Sequence, residues 1–195
     1  NVNITENNGV RPVIVRYDPL NGYIYVTARQ LNSVLVINPS SNKVIASMTV
    51  GDNPCCITYD PSNGYLYVTN RGSNSVSVIN PADNTVIANI SVGVAPEGIT
   101  YDPSNGYIYV ANALSNSVSV INPSSNKVIT NITVGDSPIG ITYDPSNGYL
   151  YVTNFKSDTV SVINPCTNRV IANITVCKFP VCIIFDPTNG YIYVT

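Results

Sequence analysis

Asp60-Pro61-Ser62-Asn63-Gly64-Tyr65-Leu66-Tyr67-Val68-Thr69-Asn70 is the stretch that decides the fold. Its first half is turn chemistry: Asp caps with its side chain, Pro fixes φ, and Asn and Gly accept positive φ. Its second half is rich in aromatic and β-branched residues, which reads as a strand. Asp-Pro-x-Asn-Gly-Tyr recurs from Asp18, Asp60, Asp102, Asp144 and Asp186, each start 42 residues after the last, in a chain of 195. Within one period there are four strand-like runs, at Cys56–Tyr59, Tyr65–Thr69, Ser75–Ile79 and Val86–Val92. Turn clusters rich in Asn, Gly, Ser and Pro separate them. No apolar 3.6-residue period survives this spacing, so no helix is expected.

Four short strands in a period of this length make one propeller blade. The expected fold is all-β: a β-propeller of 42-residue four-stranded blades, strands a to d from the axis outward, in one domain over 1–195. Four complete blades fall at about 10–50, 52–92, 94–134 and 136–176. A partial fifth blade comprises 178–195 together with an N-terminal strand within 1–6 that matches strand d. Three closures are open: the N-terminal strand pairs with the last strand, the chain is an excerpt of a larger ring, or the free edge pairs with another subunit. Asn1 is not an initiator Met, so a processed product or an excerpt is expected.

Tyr-Val-Thr-Asn occurs at Tyr67–Asn70 and Tyr151–Asn154, with variants at Tyr25–Ala28 and Tyr109–Asn112. On these motifs the chain resembles the YVTN β-propeller repeat family of archaeal surface-layer and other secreted proteins. The resemblance implies a secreted propeller, with a seven-bladed ring as the usual size. It carries little about activity, because the fold hosts many functions.

Composition excludes several chemistries. There is no His, hence no His-ligated zinc, no Ser-His-Asp triad and no imidazole base. The His-containing sites of propeller lyases are therefore impossible here. Nine Lys and Arg against eleven Asp and Glu leave a net charge of −2, with no nucleic-acid footprint. No apolar stretch approaches the ~18 residues of a membrane span. Glu6 and Glu97 are the only glutamates, and no matched carboxylate pair can be named for either. The Asp-Pro-x-Asn-Gly carboxylates read as turn caps, one per blade, rather than as a calcium site. No metal or cofactor is expected.

Four Asn-x-Ser/Thr sequons, at Asn3, Asn89, Asn131 and Asn173, fall in strand d and are candidate glycosylation sites. Five cysteines stand outside the repeat consensus: Cys55, Cys56, Cys166, Cys177 and Cys182. They are disulfide candidates, with Cys177–Cys182 the preferred intramolecular pair and Cys166 a candidate for a bridge between subunits. Free cysteines acting as small hydrophobes are the plainer alternative. The loops that vary between blades place Arg11, Arg29, Leu31, Arg71, Leu114, Phe155, Lys156, Lys178 and Phe179 on one face, a candidate contact surface. These features together suggest an extracellular, glycosylated, non-enzymatic propeller that self-associates into a surface layer or filament. Partners would be itself and other cell-surface proteins or glycans. A monomeric adhesin or ligand-binding propeller is the alternative, and a lactonase-like enzyme of the same fold the third reading.

Overall fold

The computed structural model describes residues 12–195. The N-terminal strand expected within 1–6, with Asn3, Glu6 and Arg11, lies outside the described residues. The chain divides into two compact units, Asn1–Ile90 and Ser91–Thr195.

In the first unit, β1 (Pro12–Tyr17), β2 (Ile24–Ala28), β3 (Ser33–Asn38) and β4 (Lys43–Thr49) form one antiparallel sheet in chain order. Then β5 (Pro54–Asp60), β6 (Tyr65–Asn70), β7 (Ser75–Asn80) and β8 (Thr85–Ser91) form the next, β8 ending at the boundary between units. The second unit repeats the plan. Its sheets are β9 (Pro96–Asp102), β10 (Tyr107–Asn112), β11 (Ser117–Asn122) and β12 (Lys127–Thr133), then β13 (Pro138–Asp144), β14 (Tyr149–Asn154), β15 (Thr159–Asn164) and β16 (Arg169–Thr175). A two-stranded sheet of β17 (Ile183–Asp186) and β18 (Tyr191–Val194) completes it. The architecture is all-β, with four four-stranded blades and a partial fifth. One short 3-10 turn at Arg29–Leu31 departs from the helix-free expectation.

The repeated motif works as a set of local locks. Asp60 Oδ1 accepts from the Ser62 backbone N–H at 2.8 Å and from the Ser62 hydroxyl at 2.6 Å. Asn63 Oδ1 accepts from the Tyr65 N–H at 2.8 Å, and its Nδ2 donates to the Tyr67 hydroxyl at 3.0 Å. Gly64 sits at φ +76°, where a side chain would be strained. The same bonds recur at Asp102–Tyr109 and at Asp144–Tyr151. Each turn is thereby tied to a tyrosine of the following strand, and Tyr25, Tyr67 and Tyr109 are fully buried.

The cores lie between adjacent blades. Tyr25, Val34, Val36 and Met48 of the first blade pack on Ile57, Tyr59, Leu66, Val68 and Ile79 of the second. Tyr109, Val118, Val120 and Ile132 pack likewise on Ile141, Leu150, Val152 and Ile163. This is face-to-face sheet packing, with the alternate residues of each strand supplying the contacts. The last blade differs: Ile174 is 46% exposed, where Met48, Ile90 and Ile132 are 4–5% exposed.

A polar ladder runs from the interior out to the exposed outer strand in three blades. Asn70 Nδ2 donates to Ser75 Oγ and to Ser77 Oγ, at 3.1 and 2.9 Å, and the Ser77 hydroxyl donates to Asn89 Oδ1 at 2.7 Å. Asn112–Ser119–Asn131 and Asn154–Ser161–Asn173 repeat it. Three of the sequon asparagines are therefore acceptors of this ladder.

Candidate functional site

In the second, third and fourth blades the loop entering the blade is hydrogen-bonded to the loop between that blade's second and third strands. In the first unit the Arg71 N–H donates to the Asn53 carbonyl at 3.0 Å and the Gly72 N–H to the Asp52 carbonyl at 2.9 Å. In the second unit Ala113 and Leu114 donate to Ala95 and Val94, at 2.9 and 3.1 Å. Phe155 and Lys156 donate to Ser137 and Asp136, at 3.0 and 3.1 Å. Side chains brace the same frame. Asn116 Nδ2 donates to Asp136 Oδ1 at 3.0 Å, Asn116 Oδ1 accepts from the Ser137 N–H at 3.0 Å, and Asp158 Oδ1 accepts from the Phe179 N–H at 2.9 Å. Variable residues thus stand on a rigid scaffold, which is how loops carry binding function.

One position in each of these loops is left-handed: Asn53, Ala95, Ser137 and Phe179, at φ 52–57°. Asn tolerates this conformation; a bulky residue does not, and the cost is roughly 1–2 kcal/mol. Phe179 accepts that strain while 57% exposed, and its ring lies 5.1 Å from that of Phe155 at 37°. Lys156 and Lys178 are exposed beside the pair in sequence, and Leu114 is exposed on its own loop. The pairing of Phe155 with Phe179 escapes a linear reading, because the two lie in different loops. Its signal was the alignment of Phe179 with Asn53, where positive φ is cheap.

Glu97 is the second residue of β9, after Pro96 and the left-handed Ala95, and it is half-buried. The equivalent positions are Val13, Cys55, Ile139 and Val181, so Glu97 is the one carboxylate the described repeats place there. Next to it, Gly98 lets the first strands of neighbouring blades come close. A Cβ on Gly98 would stand 2.4 Å from the Ile139 carbonyl oxygen.

Other sequence candidates fall elsewhere. Arg29 is not a free surface cation: it is half-buried, and its Nη2 donates to Cys55 Sγ at 2.9 Å. Leu31 and Arg71 are exposed in the first unit. Cys166, Cys177 and Cys182 are exposed, with free thiols. Cys55 is buried and its thiol also donates to the Asn53 carbonyl at 3.4 Å. Among the described residues no cluster of three or more His, Cys, Asp or Glu could hold a metal ion, and no helix is long and apolar enough to cross a membrane.

Residues 42–128 match the family model described as lactonase, 7-bladed beta-propeller. No curated protein matches the chain. Among solved structures, hydrazine synthase from Kuenenia stuttgartiensis is similar with a TM-score of 0.86 at 24% identity, over 98% of this chain and 57% of that one. Virginiamycin B lyase from Staphylococcus aureus, bound to quinupristin, gives 0.85 at 20%, over 99% of this chain and 65% of that one. The fold is a β-propeller. The dihydro-heme d1 dehydrogenase NirN gives 0.73 at 16% identity, over 98% of this chain and 43% of that one. The chain spans less than two thirds of the length of each of these three propellers.

These likenesses correct the functional expectation. The matched family model is that of lactonases, and the similar structures are a synthase, a lyase and a dehydrogenase. A non-enzymatic structural propeller building a surface layer or filament, its glycoprotein character and its adhesin alternative find no support there. The propeller repeat was read correctly. The function expected of it rested on the sequons, the cysteines and the variable loops, and the repeat motif itself encodes blade structure rather than chemistry.

Proposed function

We propose that the chain supplies substrate-binding blades of a lactonase-type propeller enzyme that opens a cyclic ester with water. In this reading the repeats are YVTN-type blades put to enzymatic use. The observation that carries it is Phe179, held exposed in a left-handed conformation and stacked on Phe155. Strain of this kind persists where function uses it. The aromatic pair offers an apolar platform for a ring. Glu97 is the general base: its carboxylate takes a proton from the attacking water as the water oxygen bonds to the ester carbonyl carbon. The same proton then passes to the ring oxygen as its bond to that carbon breaks, leaving a hydroxy acid. The lactonase family match over 42–128, which contains Glu97, supports the reaction class.

The test is hydrolysis of a panel of five- and six-membered lactones by the full chain, followed by acid release. Glu97→Gln should lower kcat by roughly 100-fold or more. Phe155→Ala with Phe179→Ala should raise KM with little change in kcat. Absence of hydrolysis above the uncatalysed rate for the whole panel, or an unaffected Glu97→Gln variant, overturns the proposal.

A further inference from the structure

Two clefts in the second unit are copies of one another. The first, of about 350 Å³, is lined by Val134, Gly135, Ser157, Thr159, Val170 and Asn173 among others. The second, of about 310 Å³, is lined by Val92, Gly93, Ser115, Ser117, Val128 and Asn131 at positions 42 residues earlier. No charged residue lines either cleft. Each combines two valine side chains with hydroxyls and a carboxamide.

Beneath each lies an unmet hydrogen-bond acceptor. Asn154 is fully buried; its Nδ2 is spent on Thr159 and Ser161, and its Oδ1 has no donor among the described residues. Its side chain is packed against Gly135: a Cβ on that glycine would stand 2.7 Å from Asn154 Cγ. Both Gly135 and Thr159 line the cleft. Asn112 repeats the arrangement, with its Nδ2 on Ser117 and Ser119, its Oδ1 without a donor, and Gly93 against it. Because Thr159 Oγ1 and Ser117 Oγ accept from these buried carboxamides, each keeps its hydroxyl proton for a ligand in the cleft.

We propose that each cleft binds one neutral, polyhydroxylated ring of monosaccharide size, beside the Phe155–Phe179 pair rather than on it. The valines meet the ring's C–H surface. Ser157, Thr159 and the Asn173 carboxamide address its hydroxyls. Ser115, Ser117 and Asn131 do the same in the other cleft. The lack of lining charge selects a neutral ligand, since an ionised one would be desolvated without a partner. Cleft volume suits one ring, so each site alone is weak and the repeat supplies valency.

Calorimetric titration and saturation-transfer NMR of the full chain with glucose, galactose, mannose and N-acetylglucosamine test this. The expected result is saturable binding by at least one sugar at two or more equivalent sites, with Kd on the order of a millimolar. Val128→Trp or Val170→Trp, each filling one cleft, should remove one site, and the double variant should weaken binding at least about tenfold. Asn131→Asp with Asn173→Asp keeps the ladder acceptors but adds charge, and should also weaken binding if the tryptophans disturb folding. Crystals soaked in the bound sugar should show it against Asn131 and Asn173. No saturable binding by any of the four sugars overturns the proposal. So does binding indifferent to both variant pairs, or soaked clefts that hold water alone.

Discussion

Where the second, third and fourth blades carry an Asn–Ser–Asn ladder, the first blade carries Ala28, Leu35 and Ser47. The strand pairing is the same: Leu35 lies opposite Ser47 as Ser119 lies opposite Asn131. Ala28 and Leu35 are buried and join Val26 and Ile37 in an apolar cluster. One blade fills this space with hydrocarbon and the others with hydrogen bonds, and all three positions change together. Half a network is the poor solution, because a buried polar group that loses its partner keeps its desolvation cost. The comparison also explains the sequons structurally: the strand-d asparagine is present where the ladder needs an acceptor and is replaced by Ser47 where the ladder is gone.

The largest effect expected is from breaking one ladder singly. Asn70→Ala should destabilise the fold by about 2–4 kcal/mol in urea unfolding, through lost bonds and a cavity. The triple change Asn70→Ala, Ser77→Leu and Asn89→Ser, which transplants the first blade's solution, should recover most of that loss. Equal destabilisation by the single and the triple change would break the comparison. Next in size is Gly98→Ala. Ile14 stands exposed at this position in the first blade, whereas a side chain at Gly98 meets the Ile139 carbonyl. The cost should be about 1–3 kcal/mol in the same measurement.

A third effect is visible in titration. Burial pushes the Tyr67 and Tyr109 hydroxyls up to about 12, and Tyr25 in the first blade shifts in the same direction for the same reason. The neutral phenol is the form the fold favours. Its stabilisation is complete below the ordinary tyrosine value of 10.0 and is lost as pH rises through about 12. Ultraviolet titration should show these tyrosines ionising late, together with loss of structure. The smallest effect lies in the partial blade. Hydrogen bonds from the Thr188 hydroxyl and N–H hold the half-buried Asp186 carboxyl below its usual range. Their contribution is present above the unfolded value and disappears as pH falls through the lowered one. Amide exchange at Thr188 should accelerate on acidification, and Asp186→Asn should remove that pH dependence.

The blades were legible because their code is local. Asp60, Asn63, Gly64 and Tyr67 lie within eight residues and bond to one another, so a reading of turn chemistry already contains the geometry. The candidate site was legible only as a face: alternation of the loops puts Phe155 and Phe179 on one side, but the contact of their rings is made between different loops. Phe155 meets Phe179 across two loops, and each cleft joins strand ends about 40 residues apart in sequence. Glu97 was seen, but nothing in its neighbours along the chain marks it. The strand-d asparagines were ambiguous for a physical reason: Asn-Ile-Thr satisfies a sequon and a ladder with the same three residues.

The turn that begins each hairpin has a consequence for chemical ageing. Asn21, Asn63, Asn105, Asn147 and Asn189 each precede glycine, the sequence in which asparagine deamidates most readily when the following N–H is free to attack the side-chain carbonyl. Here each of those glycine N–H groups is bonded to the carbonyl of the preceding aspartate, at 2.8–2.9 Å. Each asparagine carboxamide is held as well: its oxygen accepts from the N–H of the next tyrosine, and its nitrogen donates to the hydroxyl of the tyrosine beyond. The folded protein therefore protects these five Asn–Gly bonds with the same contacts that form its turns, and an unfolded copy loses that protection at all five together.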